Sequence, residues 1–226
     1  MISAPGFRPI VPVEKHEEWT PQAFLDYVQH DTRAWLKDDW HDIRPHLAII
    51  HALALSVNVT DPREPIVQPP LCVEIGVRQG ASTLPLLEAM RATNGKLVSF
   101  DIDLDAYGYA YGRVEAAELL PWWEPIAQSS TYADVPETID LLFIDGDHSE
   151  EQAGIDFERF APNVRAGGMI LMHDYYDRLN PWDRDSVNGI QATGVPIVVE
   201  EARASGRYEV LILPWAYGLA ILKVLG

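Results

Sequence analysis

Residues 143–150 read FIDGDHSE, an apolar run that ends in two carboxylates and an imidazole with one glycine between them. Some twenty residues on, a second apolar run, MILMHD (169–174), ends in His173 and Asp174. Carboxylate oxygens suit a hard divalent cation such as Mg²⁺, and Asp145 and Asp174 could supply two of them. An imidazole titrates near neutrality and can accept a hydroxyl proton, which makes His148 a candidate general base. Two plainer roles compete with this chemistry: a solvated turn, and a histidine capping the helix that follows.

A third cluster precedes these. LCVEIG (71–76) runs into Val77-Arg78-Gln79-Gly80-Ala81-Ser82. Gly76 permits a tight bend and close backbone approach, and Gly80 lets a helix start against a sheet. Free amides at that helix start, with Ser82 and Thr83, suit a carboxylate. Arg78 stands where a dinucleotide GxGxxG motif needs its middle glycine, and no Gly-Lys-Ser/Thr follows, so neither a dinucleotide fingerprint nor a phosphate loop is present. KLVSFDID (96–103) then places Asp101 at the end of a second apolar run, where a carboxylate can accept hydrogen bonds from a ribose diol or cap a helix. DIDLDAYGYAYG is not a calcium loop, since Ala106 replaces the sharp-turn glycine and Gly112 the bidentate glutamate.

These residues need elements to hold them. Near-continuous apolar strands at 71–76, 96–103, 124–130, 140–146 and 169–174 alternate with helical stretches at Ala81–Ala92, around Gly112–Leu120, from the fourth strand through Phe160, and within Val187–Ala204. RYEVLILPW (207–215) and YGLAILKVL (217–225) read as a terminal antiparallel pair. The pattern implies an α/β fold with a mostly parallel seven-stranded sheet and helices on both faces. Such sheets place ligands at the carboxyl ends of their strands. With strands four and five side by side, Asp145, Asp147, His148, His173 and Asp174 converge on one crevice.

Upstream, residues 1–70 read as a helical extension with a Pro-rich linker, DPREPIVQPP (61–70). One helix is expected from Pro21, capped by Thr20, and a second over His46 to Val57, apolar nearly all round and therefore buried. His41, His46 and His51 fall five apart, on different helix faces, which disfavours a zinc site. Trp122-Trp123 and Trp182, in loops, either line a substrate pocket or plug the surface. Cys72 lies inside a strand and reads as core.

Composition narrows the partners. The 226 residues are 47% hydrophobic, enough for a sizeable core, and carry a net charge of −17. Such a surface repels phosphate backbones and anionic lipid, so nucleic acid and membranes are disfavoured. A single cysteine excludes an intrachain disulfide and fits a reducing cytoplasm. No secretory pattern or membrane-length apolar run is present.

The motifs resemble a known family. EIGVRQGAST is similar to the first motif of class I S-adenosylmethionine-dependent methyltransferases. FIDGDHSEEQAGIDFERFAPNVRAGGMILMHDYY resembles the strand-four-to-five block of the O-methyltransferase branch that includes macrocin-type and related antibiotic-sugar enzymes. The likeness spans roughly residues 70–225. It implies a Rossmann-like domain at 71–226 that binds S-adenosylmethionine through Glu74, Gly76, Val77, Gly80, Ser82, Asp101, Ser130 and Asp145. It implies a divalent metal, usually magnesium, on Asp145 and Asp174 with His173 beside them, and His148 as base with Asp145 in the catalytic set. His173 departs from relatives that carry a carboxylate at that position, and imidazole is a poorer magnesium ligand. The expected reaction is methyl transfer to a hydroxyl of a small molecule. A metal-independent or nitrogen-directed methyltransferase, an oxidoreductase, and a non-catalytic Rossmann-like binding protein are the alternatives. The N-terminal helices suit a lid or a homo-oligomer contact.

Overall fold

The computed structural model describes residues 43–57, 68–176 and 194–226. The expected helix from Pro21, most of the Pro-rich linker, His41, Trp182 and residues 187–193 lie outside them. Five helices are described: α1 (Leu47–Ser56), α2 (Thr83–Thr93), α3 (Leu104–Ala116), α4 (Glu150–Phe160) and α5 (Val195–Ala204). Seven strands, β1 (Leu71–Ile75), β2 (Lys96–Asp101), β3 (Trp123–Ala127), β4 (Ile139–Ile144), β5 (Val164–His173), β6 (Tyr208–Leu213) and β7 (Leu219–Val224), form one sheet in the order β3-β2-β1-β4-β5-β7-β6. The first five run parallel, and β7 inserts antiparallel between β5 and β6. This is the expected mostly parallel seven-stranded sheet with an antiparallel C-terminal pair, β6 and β7.

Side chains alternate across the sheet with period two. Cys72, Leu97, Leu141, Phe143 and Leu171 face one core, shared with Leu47 and Ile50 of α1, Leu86 and Leu87 of α2, and Ala110 and Val114 of α3. Val73, Ile75, Phe100, Leu142, Ile170 and Met172 face the other, with Phe157 and Phe160 of α4 and Val198 and Val199 of α5. Every strand of the inner sheet is therefore covered on both sides, which is why the runs read as continuously apolar. Cys72 is core as expected, and burial pushes its thiol pKa up.

Strand order reverses between β1 and β4, and the chain is laced together at that switch point. Asp145 N–H donates to the Ile75 carbonyl (2.8 Å), and Gly76 N–H to the Phe100 carbonyl (2.9 Å). At the opposite edge, Asp140 accepts from Leu71 N–H (2.7 Å) and from Arg165 Nε (2.6 Å). Arg165 Nη2 in turn donates to the Val57 carbonyl (2.8 Å), which ties the end of α1 to the sheet.

Two expectations need correction. The third helix starts at Leu104, not near Gly112, and runs straight through YGYAYG. Burial of Tyr107, Ala110 and Val114 at helical spacing outweighs the poor propensity of its two glycines. Trp123 does not lie in a loop: it opens β3, is buried, stacks on Tyr107 with ring centroids 5.9 Å apart, and donates from Nε1 to Ser99 Oγ (3.0 Å). Gly112 faces solvent within α3, and nothing lies within 4 Å of where its Cβ would stand. Gly112→Ala should thus stabilise by about 0.5–1 kcal/mol, a rise in Tm of roughly 2 °C by differential scanning calorimetry.

Candidate active site

A cavity of about 400 Å³ opens at the carboxyl edge of the sheet, along the tips of β1 to β4. Gly76, Asp101, Ser130, Asp145 and His148, all expected at the site, line it. Glu74, Val77, Gly80, Ser82, His173 and Asp174 do not.

Gly76 adopts φ +91°, and a Cβ there would fall on the Asp145 carbonyl. The glycine is what allows β1 and the segment after β4 to meet. Gly80, at φ +77°, brings its backbone to 3.1 Å (from an added Cβ) of the Ala110 Cβ, packing the turn on α3. Asp101 closes this turn from the β2 side. Its Oδ2 accepts from Val77 and Arg78 N–H (2.8 Å each), and its Oδ1 from Asp103 N–H (2.8 Å). These bonds fix the carboxylate at the cavity wall, with acceptor capacity remaining toward the interior.

Glu74 and Ser82 point inward. Glu74 is fully buried; its Oε1 accepts from Ser82 Oγ (2.7 Å), and its Oε2 from Ser99 Oγ (2.7 Å) and Thr83 Oγ1 (2.9 Å). Three hydroxyls and one carboxyl thus form a closed polar knot under the glycine turn. Burial pushes the Glu74 carboxyl up to about 7, against the opposing pull of those hydroxyl bonds. In the unfolded chain it titrates near 4.5. Between those values the folded state holds the extra proton, so Glu74 makes stability fall as pH rises from about 4.5 to 7. Glu74→Gln removes that loss. Relative to the parent protein, the variant should gain roughly 3 kcal/mol between pH 4.5 and 7, read as diverging urea midpoints.

Asp145, His148 and Asp174 meet where β4 and β5 end, with ligand atoms all within 4.8 Å of one another. His148 Nε2 lies 2.8 Å from Asp174 Oδ2 and 4.0 Å from Asp145 Oδ1. His173 Nδ1 lies 3.3 Å from Asp145 Oδ1 and 3.4 Å from Asp174 Oδ1. Asp174 is buried and sits at φ +57°, a left-handed conformation that aspartate tolerates better than most residues. His148 is a quarter exposed and faces the cavity. Its backbone is pinned from both sides: Ser149 N–H donates to Asp147 Oδ1 (2.8 Å), and Gly194 N–H donates to the His148 carbonyl (2.7 Å). Ser149, rather than His148, caps α4, its Oγ accepting from Gln152 N–H (3.3 Å).

Sequence reasoning missed several residues here. His46 is buried edge-on against His173, ring centroids 5.4 Å apart, and hydrogen-bonds through Nε2 to the Trp215 carbonyl (2.9 Å). Burial, with His173 beside it, lowers its pKa to about 4, so it is held neutral. His173 Nε2 bonds likewise to the Ala216 carbonyl (3.0 Å). Ile102, Gln128, Gln152 and Asp156 also line the cavity. Asp156 carried a readable signal: it is a carboxylate inside the buried stripe Ala153, Phe157, Phe160 of α4.

The fold and the crevice at its switch point define a Rossmann-like architecture. Residues 73–175 match the family model described as a methyltransferase domain. A candidate caffeoyl-CoA O-methyltransferase from Staphylococcus aureus superposes with a TM-score of 0.71 at 18% identity, covering 91% of this chain and 99% of that one. The O-methyltransferase TomG of Streptomyces achromogenes, involved in tomaymycin synthesis and solved with S-adenosylmethionine, gives 0.61 at 17% identity over 87% and 92%. A Bacillus cereus O-methyltransferase bound to S-adenosylhomocysteine gives 0.60 at 18% over 89% and 90%. An uncharacterized protein of Acanthamoeba polyphaga mimivirus is 42% identical over 59 residues, which span 26% of this chain and 27% of the relative. No helix among the described residues is long and apolar enough to cross a membrane.

Proposed function

We propose that the chain is an S-adenosylmethionine-dependent methyltransferase that acts on a hydroxyl of a small molecule, with Asp145 and Asp174 as the residues that would hold a divalent metal and His148 beside them as the base. The observation that carries the reading is the meeting of those three side chains beside a cavity that also reaches Asp101 and the Gly76 turn. The methyltransferase-domain match and the folds solved with S-adenosylmethionine or its product support it.

The residues fit both groups. Asp101, already fixed by the turn amides, suits a ribose diol, and the turn itself leaves the backbone bare where a ligand must approach. Two carboxylates, Asp145 and Asp174, suit a hard divalent cation, and His148 stays outside that coordination so that its imidazole can accept a proton. The bound cosubstrate supplies an electrophilic methyl group, and a bound metal lowers the pKa of a coordinated hydroxyl. His148, facing the cavity and oriented by buried Asp174, takes the hydroxyl proton. Gly194 and the Asp147 turn hold its backbone still while it does so. The net charge of −17 disfavours nucleic acid as acceptor. A macrocin-type, antibiotic-sugar-like acceptor is the finer reading that the IDGDH and GGMILMHD motifs suggest.

One observation favours a metal-free variant of the same chemistry. The His148–Asp174 contact of 2.8 Å is also that of an acid–base dyad. Calorimetric titration with S-adenosylhomocysteine, followed by methyl transfer to a panel of hydroxylated acceptors with and without EDTA, tests both readings. Micromolar binding and a chelator-sensitive rate are expected. Binding with a chelator-resistant rate would leave the dyad, and absence of binding would overturn the assignment.

A further inference from the structure

The turn between β6 and β7 is strained and packs against the end of β5. Ala216 (φ +50°), Tyr217 (φ +62°) and Gly218 (φ +83°) are left-handed in succession, and the first two carry side chains. Such a run is unfavourable for residues with a Cβ and persists only where the surroundings fix it. Here four successive carbonyls of the turn receive bonds from outside. The Trp215 carbonyl accepts from His46 Nε2 (2.9 Å), that of Ala216 from His173 Nε2 (3.0 Å), that of Tyr217 from Tyr176 N–H (2.7 Å) and that of Gly218 from Tyr175 N–H (3.3 Å). A carbonyl can only accept, so both imidazoles point an Nε2–H at the turn.

Three of these donors flank Asp174. The strands β5 and β7 stay in register up to His173 opposite Leu219, and the next bond joins Tyr175 to Gly218. The β5 side has advanced by one residue more than the β7 side, so Asp174, at φ +57°, is the extra residue of a bulge. A bulge bends its strand and re-aims the side chain it carries. This one brings Asp174 Oδ2 to 2.8 Å from His148 Nε2.

The fourth donor comes from the other end of the chain. His46 stands at the start of α1, 169 positions before Trp215. It is fully buried, stacks on the Trp215 ring with centroids 6.1 Å apart, and meets His173 edge-on. Its Nδ1 is buried with no hydrogen-bond partner among the described residues. An unmatched buried nitrogen lowers stability, and an apolar side chain of similar volume would avoid that cost. What a histidine adds here is the single N–H held against the turn.

We propose that His46 is a positioning residue for the proton transfer: through the Trp215 carbonyl it fixes the β6–β7 turn, and the turn fixes the bulge that aims Asp174 at His148. The assignment rests on the methyltransferase reading and deepens it, giving the helix upstream of the sheet a task in the reaction. His46 does not line the cavity, so it acts on rate rather than on cosubstrate affinity.

His46→Leu removes the donor and the unmatched nitrogen together. In the intact chain, amide hydrogen exchange followed by NMR should speed up about tenfold or more at Tyr175 and Tyr176, and stay within about twofold in β1 and β2. In the same protein, kcat for the best of the hydroxylated acceptors should fall about 10- to 100-fold, while the Kd for S-adenosylhomocysteine by calorimetry stays within about threefold. His46→Gln, whose amide N–H can reach the same carbonyl, should bring exchange and kcat back to within about threefold of the parent. His46→Phe, which also lacks the donor, takes the place of the leucine variant if that protein does not fold. Parental exchange at Tyr175 and Tyr176, or parental kcat, in the variant without a donor would overturn the assignment and leave the methyltransferase reading standing. So would a glutamine variant as impaired as the leucine one, which would make the ring a packing element only. A parent protein that binds no S-adenosylhomocysteine would overturn the methyltransferase reading and the catalytic role of His46 with it.

Discussion

Gly76→Ala should cost roughly 4 kcal/mol or more of stability and abolish nucleoside binding in whatever fraction still folds. Two independent effects add. The position is left-handed, φ +91°, where any Cβ strains the backbone by about 1–3 kcal/mol. The added Cβ also falls on the Asp145 carbonyl, with Gly146 N only 2.8 Å away. Both neighbours are backbone, so no rotamer change relieves the overlap. The segment after β4 must move, and it carries Asp145 and His148. Urea denaturation followed by tryptophan fluorescence measures the first effect and calorimetry with S-adenosylhomocysteine the second. A variant with near-parental stability would show that the turn between β1 and α2 is looser than its geometry implies.

His148→Ala is expected to lower kcat by about 10²–10⁴ while the Kd for S-adenosylhomocysteine stays within about threefold. The histidine faces the cavity and pairs with Asp174, 2.8 Å away, at the ends of β4 and β5, on the side where the proton must be removed. Its backbone is fixed by Ser149 and Gly194, and alanine keeps both of those bonds. The loss therefore falls on proton removal and on the alignment of Asp174. A parallel loss of binding and turnover would instead make the imidazole a strut between β4 and β5.

The parallel strands were legible because burial on both faces writes them as unbroken apolar runs, and the ends of those runs carry Asp101, Asp145 and Asp174. The topological rule for open sheets then placed the crevice. The direction of individual side chains was harder to read. Glu74 and Ser82 fall next to the glycine turn, yet strand alternation puts Glu74 on the face of Cys72 and Leu141, toward the core, where Ser82 follows it. α3 was placed late because two glycines and a run of tyrosines look like loop, while the buried tyrosine and its helical partners decide otherwise. His46 beside His173 joins residues 127 positions apart, and no local pattern carries that contact.

Folding also moves protons in two directions at once. Neutral His46 gives one up below about 6.5, its ordinary value, down to about 4; Glu74 takes one on between about 4.5 and 7. Over the shared interval the release and the uptake offset each other, about 1.4 kcal/mol per pH unit in each direction. The contributions of these two interior groups nearly cancel across mildly acidic pH, and changing either one alone exposes the other's slope, toward alkali for Glu74→Gln and toward acid for a neutral isostere of His46.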